Sequence, residues 1–286
     1  MPISFGAKLA KSFQDYGQLC VGIDPHQALL ADWSLPDTAD GLREFSKIAL
    51  EAAIGRVGII KPQVSFFERF GSAGFAVLEE LAQEAAKSDL VVIMDAKRGD
   101  IGTTMDAYFA AWLGANAPFV CDALTVSPYL GFDSLKPVMA ESLERGKGVI
   151  VLAATSNPEG AALQKATTAG VTIAKQIWAG LSELNTVTAG PGEQFGSFGA
   201  VIGATLSLGG FGLGSIQDGQ GLGATPILAP GFGAQGAQLS DSRQLFGEAS
   251  KQVIHSVSRS VLEAGPMGLA KAIDVAKLEL IAGLAS

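Results

Sequence analysis

The chain is 286 residues long, 48% hydrophobic and 17% charged, which gives room for one large α/β domain and excludes a disordered chain. Its formal net charge of -8, with no basic stripe interleaved with aromatics, points away from nucleic acid, so an anionic substrate must be met by positive charge gathered at the site itself. The N-terminal MPISFGAKLAKSF lacks an apolar run followed by a small-residue cleavage site, and no apolar stretch reaches membrane-spanning length; a cytoplasmic location without a membrane partner is expected.

In chain order, short runs dense in Val, Ile, Leu and Phe occur at residues 20–24, 57–61, 90–95, 119–126, 148–155, 200–205, 226–230 and 253–258. Most are continuously apolar rather than alternating, the pattern of parallel strands covered by helices. Between them lie helical stripes. Leu42, Phe45, Ala49 and Ala52 share one face, with Thr38 or Asp40 as cap, and Phe75, Leu78, Leu81 and Ala85 form the next. Met105, Tyr108, Phe109 and Trp112 follow, with Thr103 and Thr104 as caps; then Leu135, Val138 and Met139; then Val171, Ala174, Ile177, Trp178 and Leu181; and last Leu269, Ile273, Ala276 and Leu280. Each stripe reads as a core-facing surface.

Eight strands joined by helices predict a (β/α)8 TIM barrel over residues 1–286. The first strand runs into Asp24, Pro25 and His26 without a G-x-G-x-x-G turn, which removes the usual signature of a dinucleotide fold. Cys20 and Cys121 lie in apolar runs without partner spacing and read as buried thiols. One interval resists assignment: residues 208–224, LGGFGLGSIQDGQGLGA, show neither a helical face nor strand alternation. An extended crossover replacing most of the sixth helix, a loop near the site and a short helix are all open there.

The chemistry-bearing pattern is VVIMDAKRGDIGTT, residues 91–104, where Asp95, Lys97 and Asp100 gather at the end of a buried strand. Side chains two apart on a strand share a face, so Asp95 and Lys97 are expected to project together from the C-terminal mouth, with Gly99 turning the chain to bring Asp100 near. A lysine held between carboxylates stays protonated and can deliver a proton, while carboxylates facing a substrate carboxylate raise its energy until carbon dioxide leaves. A solvated charge cluster is the plain alternative. Lys61 ends the neighbouring run and would stand beside Asp95, giving either an alternating array of two lysines and two aspartates or a structural ion pair. Asp24 ends its run toward the same mouth.

Later runs supply other groups. Ser156, in LAATSNPEG, offers a hydroxyl to a ring amide or carbonyl. APGFGAQG contains Pro230, Gly231, Gly233, Gln235 and Gly236, whose glycines let the backbone approach an anion, and Arg259 after the eighth run can make a bidentate contact. Loops after strands seven and eight commonly bind phosphate in this fold.

These segments resemble the orotidine 5'-phosphate decarboxylase family, and its second bacterial subgroup in particular. The match rests on CVGIDPH (20–26), KPQVSFFERFG (61–71), MDAKRGDIGTT (94–104), ATSNPEG (154–160), APGFGAQG (229–236) and SVSRS (256–260), in order across nearly the whole chain. The resemblance implies conversion of orotidine 5'-phosphate to uridine 5'-phosphate and carbon dioxide in de novo pyrimidine biosynthesis, with no metal or organic cofactor. It implies a tetrad of Lys61, Asp95, Lys97 and Asp100, in which Lys97 protonates C6 and the aspartates disfavour the reactant carboxylate. Lys61 and Asp24 would meet the ribose, Ser156 the pyrimidine, and Gln235 and Arg259 the phosphate, assisted by backbone amides around Gly233 and Gly236. Asp100 and Thr104 would serve the neighbouring subunit's site, which implies a homodimer with shared active sites.

The glycine-rich interval departs from the family, where a better helix is expected between strands six and seven. Two rivals remain. A metal-dependent sugar-phosphate decarboxylase shares D-x-K-x-x-D but would want an acidic residue at the position of Lys61; a noncatalytic nucleotide-binding protein would need only Arg259 and Gln235. His26 and His255 are separated and lack the companions of a metal site.

Overall fold

Strands that are apolar on both faces must be covered on both, and the chain achieves this by closing them into a ring inside a layer of helices. The computed structural model describes residues 2–190 and 192–285. Met1, Pro191 and Ser286, part of the expected 1–286 span, lie outside the described residues. Eight parallel strands form the barrel: β1 (Leu19–Ile23), β2 (Ile59–Pro62), β3 (Val91–Arg98), β4 (Ala123–Val126), β5 (Gly148–Ala154), β6 (Phe198–Ile202), β7 (Ile227–Pro230) and β8 (Val253–Val257). Each pairs with its sequence neighbours, and β1 closes the ring on β8 with Leu19 opposite His255 and Val21 opposite Val257. The expected (β/α)8 fold is therefore present.

Cys20, Ile59, Ile93, Ile150, Leu228 and Ile254 point inward and fill the interior. Beneath them lies an element the sequence reading missed, the helix Phe5–Tyr16, capped by Ser4, whose hydroxyl accepts from the Ala7 amide at 3.0 Å. Phe5 and Leu9 are fully buried in the inner cluster, so this helix corks the N-terminal end of the barrel, and each side chain contributes about 2 kcal/mol of apolar burial. A β-carbon on Gly148 would come within 2.6 Å of the Phe5 ring, so glycine is required at that contact.

The outer helices follow the apolar stripes. Thr38 caps Ala39–Ala53, accepting from Gly41 at 3.3 Å, and Leu269, Ile273, Ala276 and Leu280 are buried along Gly265–Ala285. Three expectations need correction. Phe119 is not in β4: it leaves the barrel and stacks on Trp112 with ring centroids 4.4 Å apart, so its apolar signal belongs to the helical layer. Thr103 and Thr104 do not cap Gly102–Trp112; they lie inside it, and Ile101 precedes it without a side-chain cap. Val171 sits not in the following helix but in a two-residue strand paired with Thr167–Thr168, and Thr172 caps Ile173–Thr188.

The glycine-rich interval is an ordered crossover without an α-helix. Two 3-10 turns, Leu208–Phe211 and Gly214–Ile216, bury Leu208, Phe211, Leu213 and Ile216. Their backbone is held from outside: Thr172 Oγ1 donates to Phe211 O at 2.6 Å and Trp178 Nε1 to Gly221 O at 3.0 Å. Among the described residues no helix is long and apolar enough to cross a membrane.

Candidate active site

The site is assembled where β1 to β4 end. Parallel register sets Gly22 opposite Lys61, and an isolated bridge sets Gln63 opposite Asp95, so Lys61 stands two residues before the partner of Asp95, a step its long side chain spans. Lys61 Nζ lies 2.9 Å from Asp95 Oδ2, and Lys97 Nζ lies 2.5 Å from Asp95 Oδ1. With Lys61 6% and Asp95 8% exposed, the solvated-cluster alternative fails at the centre of the array.

The expectation that strand alternation alone aligns Asp95 with Lys97 needs correction. The β3–β4 register shifts between Met94 and Arg98, and Lys97 has φ 49°, in the left-handed region. The irregular backbone turns the lysine onto Asp95, where a regular strand would run on. Thr125, on β4, was not singled out from the sequence. Its hydroxyl accepts from the Lys97 amide at 3.0 Å and donates to Asp95 Oδ1 at 2.9 Å. Its signal was a polar residue inside the apolar run ALTV, at a position alternating with inward-facing Ala123.

Burial opposes the charge on Lys61, but Asp95 and then Asp24 outweigh it, and the ammonium is held above the usual lysine range. Burial likewise works to raise the Asp95 pKa, and the two lysines overcome it, leaving the carboxyl well below the usual carboxylate range. Asp95 is thus a fixed negative charge and Lys61 a fixed positive one.

Asp24 Oδ1 is buried and without a hydrogen-bond partner among the described residues, as is Ser258 Oγ. Both lie against Gly22, whose β-carbon, if present, would be 3.4 Å from Asp24 Oδ1 and 2.9 Å from Ser258 Cβ. Two unspent polar atoms in the barrel mouth suit a hydroxylated ligand. Ser258 was also missed, although it follows β8 directly and continues the alternation of Ile254 and Ser256.

Asp100 does not join the array within one chain. Gly99 carries the backbone past Ser127, whose carbonyl oxygen would be 2.5 Å from an added β-carbon, and the Asp100 carboxylate instead accepts from the Ile101 amide at 2.8 Å. Thr104 is exposed on the helix Gly102–Trp112.

On the far side of the mouth, Ser156 Oγ donates to Gln235 Oε1 at 3.0 Å. Pro230 ends β7 and accepts from Ala204 at 2.8 Å. Gly233 packs so closely on Ser260 that a β-carbon would meet Ser260 Cβ at 2.4 Å, which joins the loop after β7 to the segment after β8. Of the amides in this loop, Gly233 N–H is spent on Ala237 O and Gly236 N–H on Gly233 O, both at 2.8 Å. Arg259 is exposed and takes part in none of the ion pairs found among the described residues.

A closed parallel barrel with its ionisable groups gathered at the strands' C-terminal ends defines the class, a TIM-barrel enzyme. Residues 17–272 match the family described as Orotidine 5'-phosphate decarboxylase / HUMPS family, and the chain belongs to it. It is 50% identical over 264 residues to an orotidine 5'-phosphate decarboxylase of Streptomyces coelicolor, covering 92% of this chain and 91% of the relative. The corresponding Corynebacterium glutamicum protein is 47% identical over 272 residues, covering 92% of each. Among solved structures, a Streptomyces avermitilis chain provisionally assigned to the same activity superposes with a TM-score of 0.91 at 47% identity, covering 99% of this chain and 97% of that one. The orotidine 5'-phosphate decarboxylase of Leishmania donovani gives a TM-score of 0.78 at 28% identity, covering 99% and 100%.

Proposed function

We propose that the chain, acting as one catalytic unit over residues 1–286 with its helix-free crossover at 208–224, decarboxylates orotidine 5'-phosphate to uridine 5'-phosphate in the cytoplasm as a step of de novo pyrimidine biosynthesis. The observation that carries this is the Lys61–Asp95–Lys97 array, in which the buried Lys61–Asp95 pair meets the more exposed Lys97 at the barrel mouth. The substrate carboxylate enters beside Asp95, which stays ionised, so the reactant is electrostatically raised. The C6–carboxylate bond breaks, its electron pair remains on C6, and that carbon takes a proton from Lys97 Nζ as carbon dioxide departs. Lys61 keeps Asp95 in place and, with Asp24, meets the ribose hydroxyls; Asp24 Oδ1 has a lone pair to spare for this.

Ser156 reads the pyrimidine edge and Gln235 reaches the phosphate, so their mutual hydrogen bond couples the two ends of the nucleotide. Arg259 supplies the unpaired cation the phosphate needs. Pro230, Gly233 and Gly236 shape the loop, but the donors it offers are the amides of Ala234 and Gln235, which have no backbone partner among the described residues. We infer a homodimer in which Asp100 and Thr104 complete the neighbour's site; the exposure of Thr104 and the engagement of Asp100 with the Ile101 amide rather than with its own chain's lysines support it. The proposed step uses no metal or organic cofactor: its proton comes from Lys97, and both Asp95 oxygens are engaged by lysine ammonium groups.

Purified protein incubated with orotidine 5'-phosphate and a chelator is expected to release carbon dioxide and form uridine 5'-phosphate. Loss of turnover on chelation with recovery on adding magnesium would favour the metal-dependent rival. Lys97→Ala is expected to lose decarboxylation almost completely while still binding uridine 5'-phosphate; wild-type turnover in that variant rules out Lys97 as proton donor.

A further inference from the structure

Three observations converge on one buried hydroxyl. Lys97 adopts φ 49°, a conformation that costs a non-glycine residue roughly 1–2 kcal/mol and persists only where its surroundings over-determine it. The β3–β4 pairing slips between Met94 and Arg98, so the regular ladder is interrupted where the Lys97 amide would be held. That amide donates instead to Thr125 Oγ1 at 3.0 Å, and Thr125 is wholly buried.

The hydrogen-bond directions are fixed. A backbone amide only donates, so the Thr125 oxygen accepts there, and its single proton goes to Asp95 Oδ1, 2.9 Å away. The same carboxylate oxygen receives Lys97 Nζ at 2.5 Å. The loop closes on itself: amide to hydroxyl, hydroxyl to carboxylate, ammonium to the same carboxylate. One side chain thereby ties both the backbone and the head group of Lys97 to Asp95.

We propose that Thr125 is a positioning residue that locks Lys97 in its left-handed backbone and so aims the ammonium at the reacting carbon. The lock concerns Lys97 whatever the substrate; only the proton's destination, C6 of the pyrimidine, rests on the decarboxylase reading above. Thr125 touches no reacting atom, and its effect passes through Lys97 and Asp95. It also explains why a lysine tolerates this backbone: glycine would fit the conformation but carries no proton.

The test is Thr125→Val, which keeps the branched shape and deletes the hydroxyl, compared with Thr125→Ser, which restores it. The valine variant is expected to lose kcat by roughly 100-fold per folded site, as misplacement of a reacting group does. KM should stay within about threefold, because the nucleotide contacts are untouched. Thr125→Ser should recover most of kcat. A crystal structure of the valine variant should show Lys97 out of the positive-φ region. A merely structural hydroxyl would lower stability and leave kcat per folded site unchanged.

Valine-variant kcat within about twofold of wild type overturns the proposal, as does a Lys97 backbone and Asp95 contact unchanged in that crystal structure. If Thr125→Val does not fold, Thr125→Cys carries the same comparison, since its thiol is a poor substitute as donor and acceptor; wild-type kcat there overturns the proposal equally. Wild-type protein that forms no uridine 5'-phosphate would sink the decarboxylase reading alone, and the Lys97 conformation in the variant would still decide the role of Thr125.

Discussion

At the scale of single residues, the site separates into buried charges with their partners in place and exposed groups whose partners have yet to arrive. Lys61 and Asp95 satisfy each other, whereas Arg259, exposed at the rim, joins no ion pair among the described residues. Arg259→Ala should therefore leave stability nearly unchanged and lower kcat/KM roughly 10- to 100-fold, the worth of a charge-assisted contact; unchanged turnover at low substrate would count against its phosphate role. His255 is another buried titratable group. Burial lowers its pKa to about 3, and its ring Nε2 lies 2.5 Å from Ser242 Oγ. The folded chain thus keeps His255 neutral down to about pH 3, while the unfolded chain protonates it below about pH 6.5. The unfolded state binds the extra proton in that window, so stability is full above it and declines as pH falls through it, by about 1.4 kcal/mol per unit from this residue. Urea unfolding of His255→Gln between about pH 4.5 and 6.5 should show that much less slope than wild type; equal slopes would assign the acid sensitivity elsewhere.

At the scale of elements, the helix-free crossover is held by precise backbone contacts. Gly247, at φ 54°, begins the turn before β8, and a β-carbon there would meet Gln217 O at 2.2 Å. Gly247→Ala should cost about 2–3 kcal/mol in chemical denaturation through strain and overlap together; a neutral result would mean that the crossover yields easily. The strands and most helices were legible because double-sided burial and one-sided stripes leave different patterns in sequence. The interval 208–224 was not, because its four buried apolar residues are spaced for 3-10 turns and its order comes from donors elsewhere, Thr172 and Trp178. The site shows the same division. Lys61, Asp95 and Lys97 could be read as chemistry from residue type and strand ends. Thr125 could not, since one threonine in an apolar strand gains meaning only from the neighbouring strand's slipped register. Asp100 was expected beside the others because turns were assumed to fold inward, whereas Gly99 only clears the Ser127 carbonyl.

At the scale of the whole molecule, the exposed Thr104 and an Asp100 that stays out of its own chain's array make the single chain an incomplete catalyst under the proposed function. Lys97→Ala and Asp100→Ala chains, each inactive alone, should regain activity when mixed. Each mixed dimer holds one site with both residues intact, so random exchange of equal amounts should restore about a quarter of wild-type activity. Mixed dimers that form but stay silent would show that each site draws both residues from one chain. The N-terminal helix sets a different limit. With Phe5 and Leu9 sealing the lower end, the described residues form a vessel whose doorway is the mouth of the strands. Nucleotide arriving, nucleotide leaving and gas escaping all share that threshold. The freed carbon dioxide has the packed side chains of the barrel interior beneath it and slips past the ring it has just left, so the order in which the two products depart is a question of traffic at one rim.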